Sequence, residues 1–336
     1  MAARRMLPWC CCIAWLGSAV LSSSAEAKLD AEFLRDGDEV IFTDQGRPIA
    51  RLVMRDKVVR RPYLADVKTP SGIQVTRRHP PVAGEDAVDH DTMHPGIWFA
   101  LGDLNGEDFW RNKGEIRPAE KRALHGIVEP FTIALRGEGK LARADGTTLG
   151  RQLINVIVQR VPEGYLYAWE FTLHGQSEPL DFGVQEEMGF GARLATPLTE
   201  KAGGTVTSAD GRTGAKAIWG TRDRWCDYSG TIDGKRVGIT LMPHPSNPRP
   251  TWWHTRDYGV FVANGFGPRS VEEGAEPRLK VPVGKRITFR YAALVHESAA
   301  ATKPDLDRVY QHYVGSVATD SSKPNGVEKP PGADVK

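Results

Sequence analysis

Cysteine is scarce in this 336-residue sequence, which has four. Three of them, Cys10, Cys11 and Cys12, fall in an N-terminal segment with the features of a signal peptide, and only Cys226 remains beyond it. One remaining cysteine excludes a disulfide within the mature chain, so the fold must depend on its hydrophobic core. Because the neighbouring carboxylate of Asp227 disfavours a thiolate, we do not expect a cysteine nucleophile.

The sequence also lacks an excess of charge of one sign. It has 44 lysines and arginines against 42 aspartates and glutamates, a net charge of +2. Nucleic-acid binding needs a strongly basic surface, so we predict no nucleic-acid partner. Beyond the N-terminal segment there is no apolar run near 20 residues, and we predict no membrane span.

The two ends of the chain differ in composition from the part between them. Arg4 and Arg5 precede a mostly apolar stretch, and Ala25-Glu26-Ala27 fits the small-residue rule for cleavage. We therefore expect residues 1–27 to be a signal peptide and the protein to be exported, to the periplasm or outside the cell. Residues 318–336, rich in Ser, Pro, Gly and Lys, predict a disordered tail, which leaves one domain over residues 28–317.

Strand patterns dominate this domain. Residues 153–159 and 165–173 are rich in β-branched and aromatic residues and flank Pro162-Glu163-Gly164, which predicts a hairpin. A second hairpin is predicted over residues 278–295, around a turn at 282–285. Shorter strand-like runs lie at 38–43, 49–55, 127–136, 236–242 and 258–263. Helical spacing is clear only at Leu306, Val309, Tyr310 and Tyr313. We predict a mainly β fold, a large antiparallel β-sandwich with a short C-terminal helix.

Residues suited to chemistry concentrate in three segments, 89–110, 181–193 and 225–258. Each interleaves polar or charged side chains with large aromatic ones. Packing alone does not require such a mixture, so the three segments together predict a functional site.

The same segments carry a resemblance to a known family. The stretches HPGIWFALGDLNGEDFW, PLDFGVQEEMGFGARLA, DYSGTIDGKRVGI, HPSNPRPTWWHTRDYG and VANGFG resemble the secreted bacterial family catalogued as PmoA-like, or "methane oxygenase". The resemblance covers roughly residues 40 to 296. Two positions depart from the family pattern: Met93 stands in a loop that is usually richer in histidine, and Gly265 replaces a proline.

The resemblance implies a galactose-mutarotase-like β-supersandwich. In aldose epimerases of that fold, a sugar binds on a concave sheet face, with a histidine as acid and a carboxylate as base. The membrane enzyme named in the family label needs several transmembrane helices, which this sequence lacks.

The residue types independently fit a sugar ligand. Trp98, Trp110, Trp252 and Trp253 could pack on the apolar faces of a pyranose. Side chains suited to its hydroxyl groups are Asp103, Asn105, Asp108, Arg249, Arg256 and Asp257. The alternative is that the tryptophans belong to the core and the charged residues cap loops.

Histidine and glutamate favour proton transfer if the protein is an enzyme. We predict His94 and His254 as acid and base and Glu187 as their partner, with His90 and His244 as orienting groups that contact the ligand. Enclosure of Glu187 by Phe182, Met188 and Phe190 predicts a raised pKa. The alternatives are an ion pair of Glu187 with Arg193, and a His244 that only caps backbone groups.

A metal site has weaker support in the sequence. His90 and His94 are four residues apart, but Pro95-Gly96 favours a loop there, and no HExxH or paired-cysteine pattern exists. Further ligands would have to come from distant residues such as His125, His254 or Asp108. We predict no cofactor and keep a transition metal as an alternative.

Three functions remain open from the sequence. The preferred hypothesis is an exported carbohydrate-active enzyme, an epimerase, lyase or hydrolase that acts by His/Glu proton transfer. The second is a glycan-binding protein without activity, and the third is a metal-dependent oxygenase. The sequence does not indicate an oligomeric state.

Overall fold

The computed structural model describes residues 28–34, 38–118, 124–267 and 278–317. The predicted signal peptide and the predicted C-terminal tail therefore lie outside the described residues. Within these ranges, no helix combines the length and the apolar character that crossing a membrane requires.

Nineteen strands and two α-helices make up the described chain. The strands are β1 (Leu29–Leu34), β2 (Glu39–Asp44), β3 (Arg47–Val53), β4 (Tyr63–Ala65), β5 (Ile97–Ala100), β6 (Glu115–Pro118), β7 (Leu124–Glu129), β8 (Thr132–Ala142), β9 (Thr148–Val161), β10 (Gly164–Gly175), β11 (Leu180–Phe182), β12 (Gly189–Arg193), β13 (Thr205–Ser208), β14 (Cys226–Ile232), β15 (Lys235–Pro243), β16 (Trp252–Thr255), β17 (Val260–Asn264), β18 (Leu279–Val281) and β19 (Ile287–Ala299). The helices are α1 (Ala215–Ile218) and α2 (Leu306–Val317), and 3-10 turns cover Thr196–Leu198 and Glu200–Ala202.

The strands form two large antiparallel sheets. The first has the order β1-β2-β3-β4-β5-β12-β17-β16, and the second has the order β13-β14-β15-β19-β10-β9-β8-β6, with β7 also paired to β8. This confirms the predicted mainly β, antiparallel sandwich and its C-terminal helix. The hairpin of β9 and β10 is also confirmed.

The second predicted hairpin is wrong. Strand β18 pairs with β11, at Leu279 opposite Phe182, while β19 pairs with β10 and β15. The turn residues at 282–285 do reverse the chain, but the strands on either side join different sheets. Long-range pairing with two long neighbours outweighs the local turn signal, which reports only a change of direction.

Aromatic side chains fill the space between the two sheets. The rings of Phe99 and Phe171 stack at 4.2 Å, and those of Phe190 and Tyr291 stack at 5.2 Å. Trp253 belongs to the same core cluster. Because successive side chains of a strand point to opposite faces, the neighbours of these residues point away from the core.

One row of outward-pointing residues crosses the first sheet. The strand registers place Tyr63 opposite Trp98, Trp98 opposite Gly191, Gly191 opposite Val262, and Val262 opposite His254. Trp98 lies flat across the glycine, since a Cβ on Gly191 would come within 2.7 Å of its ring. The outer face of the first sheet thus carries a tryptophan and a histidine in register.

The outer face of the second sheet is covered by helix α2. The apolar residues of α2 predicted from their helical spacing, Leu306, Val309, Tyr310 and Tyr313, pack on Leu166, Met242, Ala292 and Leu294 of β10, β15 and β19. The outer face of the first sheet is covered differently, by loops, since Trp98 and His254 there are buried.

A loop of residues 87–94 lies over the outer face of the first sheet, with His94 stacked on Trp98, and is held by Arg77. The guanidinium group of Arg77 is buried and donates hydrogen bonds to the carbonyl oxygens of Ala87 at 2.8 Å and His94 at 3.1 Å. It also donates to the carbonyl oxygen of Asp89. Burying a charge is tolerable only when such hydrogen bonds replace water, so the loop and the arginine depend on each other.

Two further buried arginines complete this attachment. Arg61 donates to the carbonyl oxygens of Met93 at 2.6 Å and Trp110 at 2.8 Å. Arg193, at the end of β12, lies 2.8 Å from the carboxylate of Asp89. The loop that carries His94 is therefore bound to the sheet mainly through its backbone.

We expect Arg77→Lys to lower the free energy of unfolding by about 2–3 kcal/mol, because lysine keeps the charge but cannot reach several carbonyl groups at once. Chemical denaturation measures this. The control is Arg117→Lys, whose side chain is exposed and forms a surface ion pair with Glu115, and its denaturation midpoint should not move. Equal midpoints for both variants would contradict the role given to Arg77.

Candidate functional site

His94 is buried at the bottom of the site, with 1% of its surface exposed. Its ring stacks on Trp98 at 5.0 Å and on Trp110 at 6.0 Å, and its Nε2 lies 3.3 Å from Oε2 of Glu187. Burial lowers the pKa of His94, and the contact with Glu187 offsets this only in part. A neutral imidazole whose Nε2–H donates to the carboxylate of Glu187 agrees with the lowered pKa of His94 and with the 3.3 Å contact,.

Glu187 connects two histidines. Its Oε2 faces His94, its Oε1 lies 3.3 Å from Nε2 of His254, and 12% of its side chain is exposed. Desolvation raises the pKa of Glu187, but the contacts with the imidazoles of His254 and His94 outweigh it and hold the pKa well below the usual range. Glu187 is therefore ionised at neutral pH.

The predicted raised pKa of Glu187 is thus wrong in direction. Phe182, Met188 and Phe190 belong to the core between the sheets, so they do not make the surroundings of the carboxylate apolar. The alternative ion pair with Arg193 is not formed either, since that arginine binds Asp89.

His254 stands at the outer end of this arrangement. It is 2% exposed, and neither ring nitrogen has a hydrogen-bond partner of good geometry in the described residues. Its Nδ1 lies 3.9 Å from Oε2 of Glu186, and Nη2 of Arg256 lies 3.4 Å from the same oxygen. Glu186 is 40% exposed at its side chain, so adjacent glutamates differ sharply in their surroundings.

Two spaces lie on either side of Trp219. We call the first the His254 crevice, a gap too narrow to hold a water molecule, which is lined by Glu186, Trp219, Gly220, Trp252, Trp253, His254 and Asn264. The second, the outer-face cleft, holds about 460 Å³ and is lined by Glu200, Ala215, Lys216, Trp219, Thr255, Arg256 and Asp257. Trp219 forms a wall of both, so they are neighbours. The cleft has the size of a small-ligand site.

A metal ion would find its donors at the same place. One donor atom each from Glu186, Glu187 and His254 lie within 4.8 Å of one another. Two carboxylates and an imidazole are suitable ligands for several divalent ions. The ligand pair proposed from sequence spacing, His90 and His94, is not part of this cluster, and the side chain of His125 lies outside what the structure describes.

The structure brings many of the predicted residues together. His94, Glu187 and His254 are in contact as just described. The ring of His90 lies 5.5 Å from that of His94 at the exposed side of the loop. Trp252 lines the crevice, while Arg256 and Asp257 line the cleft.

Three predicted tryptophans do not offer a face to a ligand. Trp98 is fully buried under His94, and Trp253, although one edge borders the crevice, points into the core. Trp110 is buried beneath Arg111, whose guanidinium lies 4.2 Å from its ring. Their interpretation as sugar platforms is therefore corrected to one of packing, which was the alternative.

The polar residues at 103–108 hold turns. Asp103 binds Arg278 at 2.8 Å. The side chain of Asn105 bonds the backbone of Asp181 and Pro179. Asp108 accepts hydrogen bonds from the amides of Trp110 and Arg111. None of the three lines the crevice or the cleft, so the contacts seen give them a structural role, and ligand binding by them stays a prediction.

His244 and Arg249 line a different hollow of about 390 Å³, which also includes Tyr310 of helix α2. Nδ1 of His244 lies 2.7 Å from the hydroxyl group of Ser246, and its ring meets Tyr313 edge-on. The structure therefore separates these two residues from His254, contrary to the prediction of one shared site.

Sequence reasoning missed two site residues. Glu186 lies within the segment 181–193, but the sequence does not show which of the adjacent residues Glu186 and Glu187 is the exposed one. Trp219 follows helix α1 and was not singled out, because a lone tryptophan in a short apolar stretch is typical of core. Trp219 reaches the site because the segment after α1 pairs with β16, a long-range contact that the sequence does not show.

Known structures show similar architecture at very low sequence identity. The galactose mutarotase related enzyme from Lactobacillus acidophilus is 13% identical, with a TM-score of 0.40, over 76% of this chain and 97% of that one. The GalM/aldose epimerase homologue from C. elegans is 8% identical, with a TM-score of 0.35, over 81% and 99%. Galactose 1-epimerase from Lactobacillus acidophilus is 7% identical, with a TM-score of 0.37, over 81% and 99%. We draw no functional conclusion from likenesses at this level.

No curated protein matches the sequence. Residues 39–311 match the family described as "Family of unknown function (DUF6807)". This match does not test the methane oxygenase label, which stays a prediction. It spans most of the chain, and the chain belongs to this family of unknown function.

Proposed function

We propose that this protein is an exported carbohydrate-active enzyme that binds a sugar or glycan in the outer-face cleft and acts by proton transfer at His254. The observation that supports this most is the buried series His94–Glu187–His254, which ends next to Thr255 and Arg256, two residues that line a cleft of ligand size. Perturbed, desolvated titratable groups beside a cleft are typical of active sites.

The lining of the cleft suits a sugar. Trp219 offers a half-buried ring for the apolar face of a pyranose,. Lys216, Arg256 and Asp257 offer charged groups for its hydroxyl groups, and an arginine can make paired hydrogen bonds. An aromatic platform with a few polar groups on one side is the arrangement that small-ligand sites commonly use.

The geometry assigns the residues different tasks. In this proposal His254 exchanges a proton with a ligand: it borders the crevice, and its neighbours Thr255 and Arg256 line the cleft. Glu187, held ionised, lies 3.3 Å from Nε2 of His254 and supplies a negative charge beside the ring,. In the described part of the chain His94 lines neither hollow, so it acts as a positioning residue that holds the second carboxylate oxygen. The reaction is an epimerisation, an elimination or a hydrolysis.

Thermal unfolding of the protein with a panel of mono- and oligosaccharides should reveal the ligand. A sugar present at 100 times its Kd stabilises by about 2.7 kcal/mol, which shifts the midpoint by several degrees. Trp219→Leu should abolish a selective shift, because it removes the stacking ring. No shift with any sugar of a broad panel would contradict the proposal.

Once a substrate is known, His254→Gln and Glu187→Gln should each lower kcat by about 10²–10⁴-fold while changing binding little. The matched control is His244→Gln, whose side chain lies in the other hollow, and it should keep normal kcat. If both site variants retain full turnover, the proton-transfer mechanism is wrong. Binding without turnover in the unmodified protein would instead favour a glycan-binding protein.

The cluster of Glu186, Glu187 and His254 favours a second candidate, a metal-dependent enzyme. This includes the oxygenase that the family label implies. Protein purified without chelator should then contain stoichiometric metal, as elemental analysis would show, and Glu186→Gln should lose it. Absence of metal together with chelator-resistant turnover would exclude this candidate.

A further inference from the structure

The outer-face cleft contains acids that are engaged elsewhere and cations that face the open space. Both carboxylate oxygens of Glu200 lie 3.1 Å from the amide nitrogen of Ala215. Asp257 lies 3.5 Å from Lys201, outside the cleft. Lys216 is exposed along the cleft wall. The lining thus carries two acids and two cations, so a preference for an anion depends on the positions of Arg256 and Lys216 rather than on net charge.

Arg256 is the central cation of this wall. Its guanidinium group makes two hydrogen bonds within the described chain, both 3.4 Å long, to Glu186 and to the carbonyl oxygen of Thr255. A guanidinium group has five N–H donors in a planar fork, so most of its donors remain for a ligand. Its Cζ lies 5.8 Å from the ring centre of Trp219, which places the charge beside the stacking surface.

Glu186 occupies the position of an anion between Arg256 and His254. One of its oxygens lies 3.4 Å from Arg256 and 3.9 Å from Nδ1 of His254, so at most about 7 Å separates these two groups. Because 40% of the Glu186 side chain is exposed and its contact with Arg256 is 3.4 Å long, this ion pair is weak and a ligand can compete for it,. A carboxylate in this place, loosely held, marks where an incoming anionic group would bind.

We propose that the cleft selects an acidic sugar unit, whose carboxylate or sulfate group displaces Glu186 from Arg256 and also contacts Lys216. The inference rests on the proposed function for the sugar and adds the chemical class of that sugar.

For a uronate, this position also has a chemical consequence. With the ligand carboxylate in the place of Glu186, the adjacent carbon comes near Nδ1 of His254, which lies 3.9 Å from the Glu186 oxygen. Transfer of its proton to His254 breaks the C–H bond and leaves the electron pair delocalised into the carboxylate, which Arg256 stabilises. A proton delivered by water to the opposite face gives the epimer, and His254 then returns its own proton to water. Alternatively, the oxygen on the next carbon leaves with the proton from His254, which gives an unsaturated sugar and a new hydroxyl group.

Calorimetric titration of the protein with trigalacturonate and with its methyl ester compares acid and neutral forms of one ligand. We expect the acid to bind about tenfold or more tightly than the ester, because charge-assisted hydrogen bonds to Arg256 are lost in the ester. The difference should decrease as salt is added. A sulfated galactose oligomer and its desulfated form test the other anion in the same way.

Two substitutions should change the ratio of the ester Kd to the acid Kd in opposite directions. Arg256→Gln should abolish the preference for the acid. Glu186→Gln removes the competing carboxylate and should tighten acid binding by about fivefold without affecting the ester. Asp145→Asn, in an exposed turn outside the cleft where the carboxylate accepts hydrogen bonds from Thr147, is the control and should keep the normal ratio. A Glu186 variant that binds the acid tighter also shows that the protein remains folded.

The outcomes separate the two proposals. Equal binding of acid and ester, or binding of neutral sugars only, would overturn the acidic-sugar inference and leave the carbohydrate proposal standing. No binding of any sugar would overturn both. If the acid binds only when a divalent metal is added, a metal ion rather than Arg256 binds the ligand carboxylate. This result would also overturn the inference.

Discussion

A carboxylate that has lost most of its water must be stabilised by its neighbours, and Glu187 is stabilised by two imidazoles from distant parts of the chain. Its burial would be costly without them. Both histidines therefore need fixed positions, one from strand β16 and one from a loop that the buried arginines attach to the sheet. On the outward row, Gly191 leaves room for the indole ring of Trp98 to lie flat on the sheet. His94 stacks on this ring.

Adjacent glutamates show how the same residue type takes two roles. Glu187 is enclosed, ionised and committed to the histidines, whereas Glu186 is half in solvent and loosely paired with Arg256. An enclosed charge fixes geometry because leaving its partners costs several kcal/mol, but an exposed pair contributes little and exchanges partners readily. The site thus combines a rigid interior with an outer edge that a ligand can rearrange.

Local patterns in the sequence predicted much of the fold and the central residues. The β9–β10 hairpin and helix α2 followed from periodicity, and the three polar segments contained His94, Glu187 and His254. The errors share one cause, dependence on partners far away in sequence. Strand alternation could not decide whether Trp253 or His254 points inward until the register with β17 was known. The pKa of Glu187 depended on residues about 70 and 90 positions away, not on its apolar neighbours in sequence.

The attachment of the 87–94 loop through backbone carbonyl groups has an evolutionary consequence. Every residue has a carbonyl group, so Arg77 and Arg61 hold the course of this loop largely independently of its side chains. Relatives can then exchange exposed residues of the loop, such as His90 and Asp91, without moving His94. Because its backbone is anchored, the 87–94 loop can change its exposed residues, and with them the preference for a ligand, while His94, Glu187 and His254 stay in place.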